Sequence, residues 1–183
     1  MPAQVAPERL RGVTLFDGLS PEDLKRLLES FEDLSLVAGQ LLFRPGDLEP
    51  ALYVVVEGAV EISLEVPGAQ DALIATLEAG SVFGESSFFH PSPHHASAKC
   101  RTATKLIRLS RTVYDELLRE GSLPASRLGT KAADILAARL QATDRWISQL
   151  LGEEQQAITM SWRRFREGLG GSFDLPHGFI HPY

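Results

Sequence analysis

Between Leu34 and Leu109 the chain is cut into short apolar alternations, almost all of them ended by glycine or proline. Leu36-Val37 gives way to Ala38-Gly39, and Leu41-Leu42-Phe43 to Arg44-Pro45-Gly46-Asp47. Leu52-Tyr53-Val54-Val55-Val56 reaches Glu57-Gly58, and Val60-Glu61-Ile62-Ser63-Leu64 runs on to Pro67-Gly68. Leu73-Ile74-Ala75-Thr76-Leu77 ends at Gly80, and Lys105-Leu106-Ile107-Arg108-Leu109 closes the series. Runs this short cannot form stable helices, and near-regular spacing with turn residues between them predicts an all-β sandwich or barrel. A chain of 183 residues has enough mass to bury one such core with a long helix beside it.

Helical signals flank the series on both sides. Ser20-Pro21-Glu22-Asp23 combines an N-cap serine, proline at the first helical position and acids in the first turn. Leu24, Leu27, Leu28 and Phe31 follow at helical spacing, which predicts a helix over about 21–31. Ser110 caps a second short helix through Leu118. Pro124-Ala125 opens a longer one, predicted over 125–151, with Leu128, Ala132, Ile135, Leu136, Leu140, Ile147, Leu150 and Leu151 largely on one stripe and Gly152 as its stop. Either the chain's own barrel or the same helix of a second copy has to cover that stripe. Beyond it, Ile158, Trp162, Phe165 and Leu169 mark one face of a further helix, followed by an aromatic tail to Tyr183.

The glycines fall into a recognisable order. Ala38-Gly39-Gln40-x-x-Phe43-Arg44-Pro45-Gly46-Asp47, then Leu52-Tyr53-Val54-Val55-x-x-Gly58-x-Val60, then Gly80-x-x-Phe83-Gly84-Glu85 resembles the cyclic-nucleotide-binding domain. This is the sensing module of catabolite-activator and Fnr-type regulators, protein kinase A regulatory subunits and cyclic-nucleotide-gated channels. Leu15-Phe16-x-x-Leu19 and Ala103-Thr104-x-Leu106-x-x-Leu109-x-Arg111 fit it as well. The resemblance covers about 14–120. It implies a mainly β fold with flanking α: a double-stranded β-helix, or jelly roll, with an N-terminal helix and long C-terminal helices. The expected organisation is a jelly-roll domain over 14–120, a long dimerisation-type helix over 121–151, and a C-terminal helix and tail over 152–183.

In that family the segment after Phe-Gly-Glu is a short helix whose first amides face the phosphate of a cyclic nucleotide, since unsatisfied N–H groups attract anions. The matching residues here are Phe83, Gly84, Glu85 and Ser86, with Glu85 in the place of the glutamate that accepts from the ribose hydroxyl. The family then runs Pro-Arg-(Ala/Ser)-Ala, whereas this chain has Pro93-His94-His95-Ala96. An arginine fork grips phosphate with two charge-assisted hydrogen bonds. Histidine has no fork and is only roughly a quarter protonated at pH 7. Loss of one hydrogen bond to a charged group costs ~1.5–3 kcal/mol, on the order of 10- to 100-fold in affinity. Three readings stand: a pocket that binds nothing, one that holds cyclic AMP or cyclic GMP weakly through His94, and one retuned to another ligand. Lys99 and Arg101 are nearby in sequence as substitute cations.

Other signals are weaker. His90, His94 and His95 cluster without the spacing of a metal site. Cys100 is the single cysteine, which rules out an internal disulfide, fits a reducing cytoplasmic setting and reads as a strand residue facing the core. The resemblance makes Thr130 and Thr143 of the long helix candidates for contact with a nucleobase, and plain surface threonines are the favoured alternative. Arg163, Arg164 and Arg166 form a small basic patch in a chain of net charge -6, whose overall field opposes nucleic acid and anionic membrane. The residues after Gly152 are too few for a helix-turn-helix domain, so the expectation is a stand-alone module without DNA binding. No nucleophile elbow, P-loop or ligand-spaced metal motif is present, and the expectation is not an enzyme. The partners expected are a second copy through 125–151 and a protein not identifiable from sequence. The alternative is a ligand-independent structural or scaffold domain.

Overall fold

The computed structural model describes residue 3 and residues 5–153. The helix expected after Gly152 and the aromatic tail lie outside the described residues, apart from Glu153. Two short 3-10 turns, Pro7–Leu10 and Thr14–Phe16, lead to α1 (Pro21–Leu28), whose Ser20 Oγ accepts from the Asp23 amide at 3.1 Å. Helix α1 ends three residues earlier than its apolar spacing predicts. Phe31 is fully buried but reaches the core from the turn beyond the helix.

Eight strands follow: β1 (Glu32–Leu36), β2 (Leu41–Phe43), β3 (Ala51–Glu57), β4 (Ala59–Leu64), β5 (Ala72–Glu78), β6 (Val82–Phe83), β7 (Ser97–Cys100) and β8 (Thr104–Ser110). A short helix, α2 (Glu85–Phe89), interrupts them after β6. They form two four-stranded sheets, in the orders β1-β8-β3-β6 and β2-β7-β4-β5, antiparallel at every pairing. This is the jelly-roll architecture expected, mainly β with flanking helices. Strand β6, two residues long, is too short to leave an alternation in the sequence.

Strand β3 organises the interior because it is buried on both faces. Leu52, Val54 and Val56 join one core cluster with Leu15, Leu28, Phe31, Ile107 and Leu128, where the sheet meets the helices. Ala51, Tyr53 and Val55 join a second with Phe43, Phe83, Ala98, Cys100 and Leu106, between the sheets. Side chains alternate across a strand, so one run of apolar residues serves both layers. Each large side chain fully buried here contributes roughly 1.5–3 kcal/mol.

After β8, Ser110 caps α3 (Arg111–Arg119), its Oγ accepting from the Val113 amide at 3.3 Å. Helix α4 spans Leu123–Glu153. It runs through Gly152, contrary to the expected stop. A glycine ends a helix only by turning left-handed, and inside one it costs merely about 1 kcal/mol relative to alanine. The chain divides into two compact units, residues 1–136 and 137–183. Within the first, Ala125, Leu128 and Ala132 of α4 are buried in the chain's own core, so that part of the stripe is covered internally. Leu140, in the second unit, is 45% exposed.

Candidate functional site

The cassette begins where β6 ends. Gly84 has φ +82°, and a Cβ there would collide with the Ala51 carbonyl oxygen and the Tyr53 ring. Only glycine lets the chain turn so close to β3. Phe83 before it is buried and stacked on Tyr53, with ring centroids 5.1 Å apart and planes at 16°. Helix α2 then starts at Glu85, which is only 7% exposed. Ser86 faces solvent, while Ser87 and Phe88 are buried. Further along, His95 is exposed and Ala96 buried. The structure thus brings Phe83, Gly84, Glu85 and His94 together around the start of α2.

His94 is 6% exposed and lies flat on Phe43, centroids 3.8 Å apart and planes at 7°. Its Nε2 is 3.3 Å from the Glu49 carbonyl oxygen, and its Nδ1 is 3.2 Å from Ser87 Oγ. A carbonyl oxygen can only accept, so Nε2 carries the proton and Nδ1 of the neutral ring accepts from the Ser87 hydroxyl. Burial pushes the His94 pKa below the usual histidine value. The Glu49 hydrogen bond and the Asp47 charge oppose that shift without cancelling it, and His95 adds to it. The ring that stands in the arginine position is neutral near pH 7, and both its nitrogens have protein partners.

The substitute cations considered from sequence lie elsewhere. Lys99 alternates with buried Ala98 and Cys100, so it faces the outside of its sheet, where it lines two open clefts of about 560 and 540 Å³ with Ser63 and Asp71. Arg101 is exposed, 3.9 Å from Glu61. Cys100 is buried, and burial raises its thiol pKa.

Two arginines with no role at the site assigned from sequence approach the region. Arg111, at the start of α3, donates through Nη1 to the carbonyls of Phe88 (2.8 Å) and Phe89 (3.3 Å) at the end of α2. Its Nε bonds Asp115 at 2.8 Å, and its guanidinium lies 5.9 Å from the Phe88 ring centre. Arg108 of β8 pairs in register with Tyr53, bonds Glu32 at 2.9 Å and is 3.8 Å from the Glu49 carboxylate. Burial opposes its charge, but hydrogen bonds to Glu32 and Tyr53 outweigh that and raise its pKa. Burial likewise raises the pKa of the Tyr53 phenol. Strand alternation could have flagged Arg108, which falls on the same side of β8 as buried Leu106. Arg111 closes one of the patterns that carry the resemblance and its bond to Asp115 is local, but its bonds to the Phe88 and Phe89 carbonyls, 23 and 22 residues away, leave no sequence signal.

Thr130 and Thr143 are exposed, and each hydroxyl donates to the carbonyl four residues earlier, at 3.2 and 3.0 Å. Among the described residues no group of three His, Cys, Asp or Glu is placed to hold a metal ion, and no helix is long and apolar enough to cross a membrane.

Residues 33–120 match the family model described as the cyclic nucleotide-binding domain. Over 170 residues the chain is 34% identical to the cyclic AMP receptor protein of Thermus thermophilus, covering 92% of this chain and 77% of that one. The crystal structure of the Thermus thermophilus catabolite activator protein superposes with a TM-score of 0.68 at 34% identity, over 75% of this chain and 62% of that one. A cyclic nucleotide-binding domain from Methylobacillus flagellatus shares the fold, with a TM-score of 0.70 at 21% identity, over 81% of this chain and 84% of that one.

Proposed function

The chain belongs to the cyclic nucleotide-binding domain family, and on that premise we propose that it is a regulatory module whose cassette has lost its phosphate-gripping cation. Cyclic AMP or cyclic GMP then binds weakly or not at all, and the module acts through protein contacts of its C-terminal helix. The observation that carries this reading is the His94 ring: buried, stacked on Phe43, and hydrogen-bonded at both nitrogens. A phosphate approaching the start of α2 would find backbone amides but no charged fork. The family's glutamate survives as Glu85, so ribose recognition and phosphate recognition part company in this chain.

Isothermal titration with cyclic AMP and cyclic GMP at pH 6.0 and 8.0 tests it. We expect dissociation constants no tighter than about 100 μM. We also expect no marked gain in affinity at pH 6.0 over pH 8.0, because both nitrogens of the His94 ring already have protein partners. Low-micromolar or tighter binding would overturn the proposal.

A second reading, a ligand-independent dimerisation or scaffold domain, draws on the same commitment of His94. Glu85→Ala separates the two. It removes any nucleotide response if the cassette still senses, and changes nothing in partner binding if the cassette is only a scaffold. The proposed partner in either case includes a second copy through the 125–151 helix, where Leu140 offers an uncovered apolar position. Sedimentation at two concentrations distinguishes monomer from dimer.

A further inference from the structure

The loop over residues 44–50 joins β2 to β3, and its backbone is fastened to one residue of the cassette segment. His94 donates its amide to the Asp47 carbonyl (3.0 Å) and accepts from the Gly46 amide (2.8 Å). Its Nε2 donates to the Glu49 carbonyl, 45 residues away in sequence. The ring lies on Phe43 at the end of β2, and Nδ1 ties it to Ser87 on α2. Loop, strand end and cassette helix therefore meet at a single titratable side chain.

We propose that His94 is a proton-operated latch: the neutral ring fastens the 44–50 loop to the cassette, and the protonated ring releases it. Hydrogen bonding alone does not drive the release. A proton on Nδ1 would make that nitrogen a donor to Ser87 Oγ, and the Ser87 hydroxyl would turn to the Gly84 carbonyl, 3.2 Å away. What the closed state lacks is water around a charge on a ring that is 6% exposed. The charged and titratable groups facing the ring are few. Asp47 and Glu49, from the loop, favour the proton, and His95, from the ring's own segment, opposes it. Arg108 stands 3.8 Å from the Glu49 carboxylate and competes for its charge. Strand β2 contributes Phe43, and helix α2 contributes Ser87 together with the buried Glu85 carboxylate at its start. Burial outweighs the two loop carboxylates, so the proton is taken up more readily with the loop open, and acid favours the open state by linkage. The latch concerns the fastening of the loop to His94 and does not depend on whether a nucleotide binds at the cassette.

Amide hydrogen exchange by NMR on the full chain without ligand, from pH 8.0 to 5.0, tests it, with the His94 ring titration followed in the same samples. The protection factors of the Gly46 and His94 amides should fall by up to about tenfold per pH unit from ~6.5 down to the midpoint of the ring titration, and level off below it. Those of Val54 and Ile107 in the buried core should stay level. His94→Phe keeps the stack and removes the proton site, so it should flatten the acid response. Gly46 protection that stays flat between ~6.5 and the midpoint of the His94 ring titration overturns the latch, as does an acid loss that persists in His94→Phe. Should that variant fail to fold, the wild-type profile decides by itself, since protection either falls between ~6.5 and the midpoint of the ring titration and levels off below it, or does not.

Discussion

The two ends of α2 are built from opposite materials. At its start stand a left-handed glycine, a buried carboxylate and a neutral imidazole. At its end stands the guanidinium of Arg111, hydrogen-bonded to the last carbonyls and lying over the Phe88 ring. A helix attracts anions at its N-terminus and cations at its C-terminus. Here the Glu85 carboxylate stands in the first turn and the Arg111 guanidinium on the last carbonyls, so each end carries the charge the rule favours. The cation at the far end is used to hold the helix in place.

Removing what the C-terminal end rests on should have the largest effect. Phe88 is fully buried and packs against Tyr114 at 5.1 Å, so Phe88→Ala should cost ~3–5 kcal/mol in urea unfolding. Arg111→Ala strands the Phe88 and Phe89 carbonyls and unpairs Asp115, and should cost ~1.5–3 kcal/mol. Arg111→Lys should restore only part of this, because an ammonium cannot bridge the carbonyls and the carboxylate with one planar fork. Equal stability for Arg111→Ala and wild type would remove the contrast between the ends.

The N-terminal end is sharpened by pH. The folded His94 pKa lies below its unfolded value, so the unfolded chain takes up the proton first. Its contribution to stability is complete above ~6.5 and is lost as pH falls toward and through the folded value. The stability difference between wild type and His94→Phe, measured by urea unfolding from pH 8 to 5, should narrow on acidification. A difference that widens would mean that a cation is favoured there after all. The smallest effect is expected at Lys99. It faces the outside of the sheet, so Lys99→Ala should shift stability by less than about 0.5 kcal/mol and leave the cassette unaltered.

Much of the architecture was legible because it rests on local periodicity. The strands over 41–43, 51–57, 59–64, 72–78 and 104–110 follow alternation, and the caps at Ser20 and Ser110 follow side-chain chemistry confined to a single turn. Histidine at position 94, where the family resemblance implies arginine, was equally plain. What the replacement does was not legible. The stack on Phe43 and the bond to Glu49 join residues 51 and 45 positions apart, and no local pattern encodes them.

Sequence alone determined the fold class, because alternation and turn residues are short-range patterns, and through the family resemblance it pointed to the segment from Phe83 to Ala96 with histidine at position 94. Tertiary structure decided that His94 is neutral and committed, that Lys99 and Arg101 lie away from the cassette, and that Arg111 holds the far end of α2. It also decided which part of the α4 stripe the chain covers itself. Protonation depends on burial, and a side chain's partner depends on which strands lie side by side; both are settled only when distant segments pack.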